Sequence, residues 1–436
     1  MVNILLREQA VALFRGGLAR VTPEALVRRA LTLEGDALAL RFLDRAERVP
    51  LAPGGRLVLL AVGKAAGPMA AEATRLLGGR VSAGLIVTKT SFGLAEPPFP
   101  QRETGHPVPD AAGVAAAAEA EALLTGLGAD DVALVLVSGG ASALLPAPAP
   151  GIALAEKQAL VEAMLRAEMD IHAINRVRKA LSRFKGGGLA ALAGPARVVG
   201  LYLSDVAGDA LGSIGSGPTV PEPPDPAGAA ALLRAHGLWD GAAPAVRRLL
   251  EAGPAAQPPK TPARPPVNGL IGNNRHLLEA IAAEAQAAGF ATDVRPEPLT
   301  GAVDAAVPLL LTAWREARRR RPTGPLALIV GGETVVAVKG HGRGGRCQEL
   351  AARMLPHLPP GTAFLAAGSD GNDGPTDAAG GAVDPESWRR LQAAGVPYHA
   401  LLADNDSYVL LEAGGNLLRI PPTRNNLMDV MLFLEE

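Results

Sequence analysis

The stretch LVLLAVGKAAG, residues 57–67, decides the predicted fold. Its first six residues are an unbroken apolar run that ends at a glycine, which predicts a strand over Leu57–Val62 buried on both faces. The alanine-rich segment that follows has a helical period and predicts a helix over 64–77. A buried strand that leads directly into a helix is the repeating unit of a parallel sheet covered by helices on both faces. The sequence therefore predicts an α/β fold.

The same alternation continues along the first part of the chain. Further strands are predicted at Gly84–Thr88, Val132–Ser138 and Val198–Ser204. Helices are predicted before Leu57 and at 111–127, 153–168 and 170–182, the last with Asp170 as its N-cap. In the second part, strands are predicted at 267–272, 289–295, 326–331, 334–339, 362–368 and 430–434, with a long helix at 302–320.

The composition changes after about residue 240, and the proline-rich stretch Pro254–Pro266 has no periodicity. Such a stretch is typical of an interdomain linker. We therefore predict an N-terminal domain over 1–245, a linker over 246–266 and a C-terminal domain over 267–436. A chain of 436 residues also favours two domains, with a cleft between them as the expected ligand site.

Charge and cysteine content limit the partners and the cellular compartment that we expect for this protein. The formal net charge is −1 and the basic residues are scattered, so we expect neither a nucleic-acid partner nor an anionic membrane. The single cysteine, Cys347, excludes an internal disulfide and fits a reducing cytoplasm. We expect no signal peptide and no membrane-spanning stretch. The sequence leaves the oligomeric state open, a homodimer included.

Candidate ligand residues of the first part follow predicted strands. In open α/β sheets these loops hold the ligand. Lys64 follows Gly63 at a helix start, where it could supply a mobile positive charge to a phosphate, although a surface lysine is the plain alternative. After the next buried strand, small residues could form an anion nest or simply a tight turn: Ser138, Gly139, Gly140 and Ser142. Asp205 and Asp209 could hold Mg²⁺ or cap the following backbone.

The second part carries three further groups of candidates. Glu333 follows one strand, and Arg343 and Arg346 lie in or next to the segment GHGRGG, residues 340–345, where an arginine could grip carboxylate or phosphate oxygens. This segment also matches the dinucleotide pattern G-x-G-x-x-G, a weak signal when it stands alone. The densest carboxylate group supplies Asp370, Asn372 and Asp377 for a magnesium ion or a substrate hydroxyl, with Asp370 the metal candidate. Asn405 is a further candidate for the pocket.

Taken together, the motifs resemble the class II glycerate 2-kinases, the family whose carboxy-terminal region is called the MOFRL domain. The resemblance covers nearly the whole chain and is carried by AVGKAAGPMA, GHPVPD, LVSGGASALLPAPAPGI, SDVAGD, GSGPTVPEP, GGETVVAVKGHGRGGRCQELA and GSDGNDGPTDAAGGAVD. It implies a larger Rossmann-like α/β/α domain, a smaller C-terminal α/β domain with a mixed sheet, and an active site in the cleft between them. It also implies transfer of a phosphoryl group from ATP to the 2-hydroxyl of D-glycerate.

By the same resemblance, Lys64 and Arg346 become the leading catalytic candidates. Asp205, Glu333, Asp370 and Asp377 become carboxylates of the cleft, and either Asp205 or Asp370 could orient or deprotonate the acceptor hydroxyl. Phosphoryl transfer needs positioning and charge neutralisation, which these residue types and a bound Mg²⁺ would supply. Two alternatives stay open at this point: a reductase that acts on hydroxypyruvate with a nicotinamide cofactor, and a non-catalytic protein that binds nucleotides or sugar acids.

Overall fold

A computed structural model describes residues 2–256 and 260–436. The chain divides into two compact units. We call Pro23–Ile271 the parallel-sheet unit, and Met1–Thr22 together with Gly272–Glu436 the mixed-sheet unit. This division differs from the predicted one because the first helix, α1 (Val2–Arg20), packs with the C-terminal residues and not with the N-terminal ones.

The strands of the parallel-sheet unit form two sheets. Their bounds are β1 (Leu31–Leu33), β2 (Ala37–Arg41), β3 (Ala46–Pro50), β4 (Leu57–Val62), β5 (Val81–Lys89), β6 (Gln101–Thr104), β7 (Val132–Val137), β8 (Arg197–Leu203) and β9 (Val267–Gly272). The helices are α2 (Pro23–Ala30), α3 (Ala66–Leu77), α4 (Ala111–Leu124), α5 (Ala141–Leu144), α6 (Leu154–Arg166), α7 (Ile171–Ala180), α8 (Gly188–Leu192), α9 (Pro226–Ala235) and α10 (Pro244–Glu251).

The larger sheet has the order β6-β5-β4-β7-β8-β9. Counted from its first strand this order is 3-2-1-4-5-6, that of a Rossmann-like doubly wound sheet, so the predicted fold of this part is confirmed. β4 pairs in parallel with both β5 and β7, and every residue of β4 and β7 is buried. The direction of winding reverses between β4 and β7, which makes their carboxyl ends the expected ligand site.

Two local predictions in this unit have opposite outcomes. The Asp170 side chain accepts hydrogen bonds from the backbone N–H groups of His172 and Ala173, so its role as the N-cap of α7 is confirmed. The prediction of helix throughout the residues before Leu57 is wrong, because β1, β2 and β3 form an antiparallel sheet there. A tight turn at Gly35, with φ +59°, joins β1 to β2, and alternating burial along β2 favours a strand.

The mixed-sheet unit contains parallel and antiparallel pairs. Its strands are β10 (Ala291–Val294), β11 (Leu299–Ala302), β12 (Leu326–Val335), β13 (Thr362–Gly368), β14 (Gly380–Val383), β15 (Leu417–Leu418) and β16 (Asp429–Glu435). Its remaining helices are α11 (Asn274–Ala287), α12 (Val303–Arg320), α13 (Arg346–Met354), α14 (Pro385–Ala393), α15 (Tyr398–Ala403) and α16 (Ser407–Ala413). The order is β10-β12-β16-β13-β14-β15, with β11 also paired to β12. β16 lies antiparallel between β12 and β13, so the predicted mixed sheet is confirmed.

Packing of α1 explains why the first residues belong to this unit. A Cβ atom on Gly17 would lie 2.3 Å from Cγ1 of Ile281, so glycine allows α1 to approach α11 closely. At the other end of α1, Arg7 donates a hydrogen bond of 2.8 Å to Oδ1 of Asn416. Both contacts join residues far apart in sequence, and the boundaries 1–245 and 267–436 did not anticipate them.

Three further predictions near the boundary and in the mixed sheet need correction. The strand 267–272 is present, but it is the last strand of the larger sheet in the parallel-sheet unit. The predicted linker 246–266 contains the end of α10 and the buried residue Lys260, whereas residues 257–259 lie outside the described residues. A separate strand over 334–339 is wrong, because β12 continues through Val335 and then ends. In the described residues, no helix is long and apolar enough to cross a membrane.

Candidate functional site

The loops after β4 and β7 meet at the point where the sheet changes direction. The backbone N–H of Lys64 donates to the carbonyl of Gly139 at 2.9 Å, and the N–H of Ala65 donates to Oγ of Ser138 at 3.0 Å. Two hydrogen bonds therefore fix the loops to each other, one between backbone groups and one from a backbone N–H to the Ser138 hydroxyl. The sequence predicted only that each loop follows a strand, and the structure brings Lys64 and the glycine-rich loop together.

Two glycines allow this close approach. Gly63 has φ +128°, and a Cβ atom there would lie 2.1 Å from Oγ of Ser138. Gly140 has φ +87°, and a Cβ atom there would lie 3.0 Å from Cδ2 of His106. Glycine is the residue that adopts such backbone angles without strain and leaves room for neighbouring atoms. The local sequence thus builds a narrow loop at the position where doubly wound sheets bind ligands.

Ser142, at the second position of α5, lies among basic side chains. Its Oγ accepts hydrogen bonds from Nζ of Lys185 at 2.6 Å and from a guanidinium nitrogen of Arg178 at 2.5 Å. Its carbonyl accepts a second bond from Lys185 at 2.9 Å. The hydroxyl of Ser216 lies 3.1 Å from the Ser142 hydroxyl. Ser142 therefore joins the predicted glycine-rich loop to a group of cations that the sequence analysis did not identify.

We call these basic residues the cation cluster: Lys157, Arg178, Lys179, Lys185 and Lys260. Lys185 is 3 % exposed and Lys157 is 6 % exposed. Burial, then the charges of Arg178 and Lys260, lowers the pKa of Lys157 to about 7. Burial also lowers the pKa of Lys185 well below its ordinary value and that of Lys260 to about 8.

One carboxylate is paired with the cation cluster within the described residues. Glu222 accepts two hydrogen bonds from Nζ of Lys179, at 2.6 and 2.7 Å. Lys260 donates to the backbone carbonyl of Lys179 at 2.5 Å and forms no ion pair in the described part of the chain. The only sequence signal for this group was the segment KGGG, residues 185–188, in which Gly186 and Gly187 both have positive φ.

Asp205 and Asp209 lie together in the loop that follows β8. Both are half-buried, and Asp209 has φ +56°, a value that is uncommon for a residue with a side chain. The Ser204 hydroxyl donates to the carbonyl of Val206 and accepts from its N–H, which shapes the start of the loop. Two carboxylates in one loop match the need of Mg²⁺ for one or two protein oxygens besides water and phosphate.

In the mixed-sheet unit, Arg346 is the centre of a second group of candidates. It is the first residue of α13, and it donates to both carboxylate oxygens of Asp429, at 2.6 and 2.9 Å. It also pairs with Glu333 at 2.9 Å. Burial lowers the pKa of Arg346, but the hydrogen bonds and charge of Asp429 and the charge of Glu333 raise it more, so the guanidinium stays charged.

Sheet topology places these carboxylates at one edge. Glu333 lies near the end of β12, Asp370 follows the end of β13, and Asp429 begins the antiparallel β16 between them. Asp429 pairs with Gly332 on one side and Gly368 on the other, and it is 2 % exposed. Sequence analysis missed Asp429, for which the only signal was a carboxylate at the first position of the apolar C-terminal strand.

The loop that carries Asp370 is held by its own backbone and by the segment 421–428. Oδ1 of Asp370 accepts from the N–H of Asn372 at 3.0 Å, and the carbonyl of Asp370 accepts from the N–H of Thr423 at 3.1 Å. The Thr423 hydroxyl donates to the carbonyl of Ser369 at 2.6 Å. Asn372 thus shapes this loop, while Asp370 shares an edge of the sheet with Asp429.

The dinucleotide-like pattern at 340–345 has a packing explanation. Cβ atoms on Gly340, Gly342 and Gly344 would lie within 2.1 to 2.4 Å of atoms in the segment 404–407. A Cβ atom on Gly345 would lie 2.3 Å from Asp373. The helix α13 follows these glycines, but the strands on either side of it in sequence, β12 and β13, are separated in the sheet by the antiparallel β16, so this is not a βαβ unit of two adjacent parallel strands. The pattern therefore does not support a dinucleotide site.

Asp373 occupies the N-terminus of α13. Its carboxylate accepts from the backbone N–H groups of Cys347 and Gln348, at 3.2 and 2.8 Å. Burial and the nearby charge of Asp429 raise the pKa of Asp373 to about 6, against the opposing effect of these two N–H groups and Arg346. Cys347 is buried beside it, and burial raises the pKa of its thiol well above the ordinary value. Cys347 therefore packs as a small buried residue.

Three further predicted ligand residues contact protein groups of the mixed-sheet unit: Arg343, Asp377 and Asn405. The Arg343 guanidinium lies 4.4 Å from the ring centroid of Tyr408, whose hydroxyl donates to Asp377 at 2.8 Å. The side-chain oxygen of Asn405 accepts from the N–H groups of residues 339 and 340, and its NH₂ group donates to Glu349 at 3.1 Å. Asn405 therefore holds the 339–340 segment in place, and a ligand-binding role for these three residues stays a prediction.

Candidates are therefore brought together in two groups, one in each unit. The parallel-sheet unit joins Lys64 to the glycine-rich loop, and through Ser142 it joins that loop to the cation cluster. The mixed-sheet unit joins Arg346 to Asp429 and Glu333. A doubly wound sheet with phosphate-compatible loops and a second unit with an arginine–carboxylate group define the class of two-unit α/β proteins that act on small anionic ligands.

Comparison with known proteins identifies the family. The model of a domain of unknown function (DUF4147) matches residues 9–251, and the MOFRL family model matches residues 326–429. The chain is 38 % identical to a D-glycerate 2-kinase of Thermotoga maritima over 94 % of this chain and 99 % of the relative. It is 36 % identical to a glycerate 2-kinase of Pyrococcus horikoshii, over 87 % of each. The chain therefore belongs to the glycerate 2-kinase family.

A solved structure agrees with this assignment. The crystal structure of a glycerate kinase from Thermotoga maritima matches with a TM-score of 0.85 and 35 % identity, covering 99 % of each chain. The predicted family resemblance and the two-unit α/β fold are thus both confirmed. The roles of individual site residues stay predictions.

Proposed function

We propose that this protein transfers the γ-phosphoryl group of ATP to the 2-hydroxyl of D-glycerate, giving 2-phosphoglycerate and ADP. The observation that carries the proposal is the Lys64 loop fixed to the glycine-rich loop at the point where the sheet changes direction. Such a site suits phosphate groups. The names of full-length relatives support glycerate as the acceptor.

Lys64 and Arg346 are proposed to neutralise charge on the phosphoryl group as it moves. A transition state of this kind spreads negative charge over the equatorial oxygens, so positioned cations stabilise it more than they stabilise the ground state. Lys64 follows the fully buried β4 and its backbone N–H is held by the carbonyl of Gly139, while the Arg346 guanidinium is held by the bidentate contact with Asp429. The Lys64 backbone and the Arg346 side chain therefore have the support that charge placement requires.

Mg²⁺ is proposed as the metal that accompanies ATP. Asp205 and Asp209, or Asp370, would hold it, and it would supply positive charge to the phosphate oxygens. A carboxylate, Asp205 or Asp370, is proposed to accept the proton of the acceptor hydroxyl. The described residues hold no cluster of three or more His, Cys, Asp or Glu that could bind a metal by itself, so phosphate oxygens and water would complete the coordination.

The proposed reaction takes place in the cytoplasm, with no nucleic acid and no membrane as partner. The reductase alternative loses its main feature, because the glycines at 340–345 pack against the segment 404–407.

Activity is tested with ATP, Mg²⁺ and D-glycerate, following ADP release and separating 2- from 3-phosphoglycerate. We expect Lys64→Ala to lower kcat by about 100-fold or more. Lys89→Ala is the matched control, because Lys89 ends the neighbouring β5 and lies over the ring of Phe92. A Lys64→Ala variant with wild-type kcat would remove Lys64 from the mechanism. Oxidation of NADH or NADPH by hydroxypyruvate without ADP formation would replace the kinase with the reductase.

A further inference from the structure

The cation cluster contains more basic side chains than there are carboxylates paired with it in the described residues. Among the described residues, Lys157, Arg178, Lys185 and Lys260 form no ion pair, and Glu222, which pairs with Lys179, also acts on Lys260 through its charge. Burying a charge without a partner is costly, and proteins rarely retain such groups unless they serve a ligand. The cluster therefore needs an explanation beyond the stability of the fold.

Two cations of the cluster converge on Ser142. Lys185 and Arg178 both donate to its hydroxyl oxygen, at 2.6 and 2.5 Å, so one neutral oxygen is shared by two cations. A hydroxyl has two lone pairs, so its own proton points to Ser216, 3.1 Å away. Ser216 in turn donates to Oδ1 of Asn175 at 3.4 Å. The chain of hydroxyls keeps the donors of Arg178 and Lys185 aimed at one place.

Lys157 provides an independent observation. It lies on α6, is 6 % exposed, and its Nζ has no hydrogen-bond partner in the described part of the chain. Its charge interacts with Arg178 and Lys260, which places it within the same cluster. A buried amino group without a hydrogen-bond partner, beside two cations that share one hydroxyl, is an arrangement suited to binding an anion.

We propose that the cation cluster binds the carboxylate of the hydroxy-acid acceptor, with Arg178 and Lys185 as its hydrogen-bond donors and Lys157 as a supporting charge. The identity of the acid rests on the proposed function, whereas the requirement for a carboxylate rests on the cluster itself. Arg178 and Lys185 converge on one oxygen and could instead hold the two oxygens of a carboxylate.

The position of the cluster favours the acceptor over the nucleotide. Gly139 and Gly140, with Lys64, already supply a loop suited to the phosphates of ATP, and Ser142 follows that loop by two residues. A pocket of about 500 Å³ borders the cluster at Lys179 and Lys260, and its lining also includes the carboxylates of Glu222 and Asp225. Arg178 and Lys185 are not part of that lining, so the proposed carboxylate position is defined by their convergence on Ser142. A kinase needs separate places for the phosphates and for the acid group of its acceptor, and the glycine-rich loop and this point of convergence are two such places.

Calorimetry with a matched pair of ligands tests the proposal. D-glycerate and its neutral amide, D-glyceramide, differ in the charge that the cluster would bind. We expect the wild-type protein to prefer D-glycerate, and Lys185→Met to weaken D-glycerate binding by about 10- to 100-fold while leaving the amide unchanged. Arg56→Met is the control, because it breaks an ion pair with Asp131 at the opposite, amino-terminal edge of the same sheet.

Kinetics supply the second readout. Lys185→Met should raise KM for D-glycerate by a similar factor and leave KM for ATP unchanged. A rise in KM for ATP alone would assign the cluster to the nucleotide phosphates and overturn the proposal. Equal weakening of acid and amide would make Lys185 a structural residue and would also overturn it. Arg178→Met gives the same comparison if Lys185→Met does not fold.

Failure of this proposal is distinct from failure of the proposed function. If the wild-type protein binds D-glycerate in preference to the amide but forms no product with ATP, the kinase assignment fails and the carboxylate site stands. If the protein phosphorylates D-glycerate while Lys185→Met and Arg178→Met keep the wild-type KM, the carboxylate site fails alone. A wild-type protein with neither binding nor turnover of D-glycerate would end both.

Discussion

Replacing Lys157 with methionine should stabilise the ligand-free protein. Methionine keeps the straight apolar stem of lysine and suits the helical position on α6, where Leu160 and Met164 are also buried. The change removes a buried ammonium group that has no hydrogen-bond partner in the described residues. Most core substitutions destabilise a protein, so a gain in stability would be specific to this unusual site.

The magnitude follows from the pKa of Lys157, which burial lowers from 10.5 to about 7. A lowering of this size means that the buried charge reduces the free energy of unfolding by at most about 5 kcal/mol. At pH 7 and below, both the folded and the unfolded protein carry the proton, and the folded state bears the full cost of the buried charge. Between pH 7 and about 10 the folded protein releases the proton first, so this cost disappears. Lys157→Met should therefore gain about 2 to 5 kcal/mol near pH 6 and little near pH 10.

Urea unfolding at pH 6, 7.5 and 9.5 measures this difference. The buffers must contain no phosphate, sulfate or carboxylate, because a bound anion would offset the charge of the cluster. Lys179→Met is the matched control, since Lys179 belongs to the same cluster but pairs with Glu222, so its removal should give no gain. The reasoning is refuted if Lys157→Met is less stable than the wild type at pH 6, or if its gain does not change with pH.

Two further predictions concern the loops of the two units. Gly63→Ala should cost about 2 to 4 kcal/mol in urea unfolding, because its Cβ would meet Ser138 at 2.1 Å in a backbone conformation with φ +128°. Gly78→Ala, with φ +53° but no atom within 4 Å of the new Cβ, should cost only about 1 kcal/mol, and an equal cost at both positions would contradict the steric argument. The free energy of unfolding of the wild-type protein should depend on pH through the raised pKa of Asp373, about 6. Asp373→Asn should lack this pH dependence, which urea unfolding measures. Because the folded protein binds this proton more tightly, wild-type stability should fall relative to Asp373→Asn by up to about 3 kcal/mol from pH 4 to 7, and a difference that stays constant over this range would contradict the assignment.

The strongest sequence signals came from strands buried on both faces. β4 and β7 read as unbroken apolar runs followed by glycine or small residues, so their bounds and the loops at Lys64 and Ser138 were predictable. Burial of this kind leaves a local pattern because every position must be apolar. β13 has the same character, and its predicted bounds, 362–368, agree with the structure.

Features that depend on tertiary contacts left no such pattern. Lys157 reads as a polar residue on an amphipathic helix, and only the packing around α6 shows that it is buried. Lys185 contacts Ser142, which lies 43 positions earlier in the chain. Asp429 contacts Arg346 across 83 positions. The periodicity of a single sequence does not reveal such contacts. The loops could therefore be predicted, whereas the charged side chains that lie next to them could not.

The two groups of candidate residues differ in their balance of cations and carboxylates. In the parallel-sheet unit, buried cations outnumber their carboxylate partners, so that group suits an anion. In the mixed-sheet unit, Arg346 is already matched by Asp429 and Glu333, and Asp370 lies at the same edge of the sheet, so carboxylates outnumber the arginine in that group. Phosphoryl transfer needs both kinds of environment, since the phosphates and the acid of the acceptor are anionic while the metal and the departing proton are cationic. The unmatched cations of the parallel-sheet unit should therefore bind an added anion more readily than Arg346, whose charge Asp429 and Glu333 already compensate.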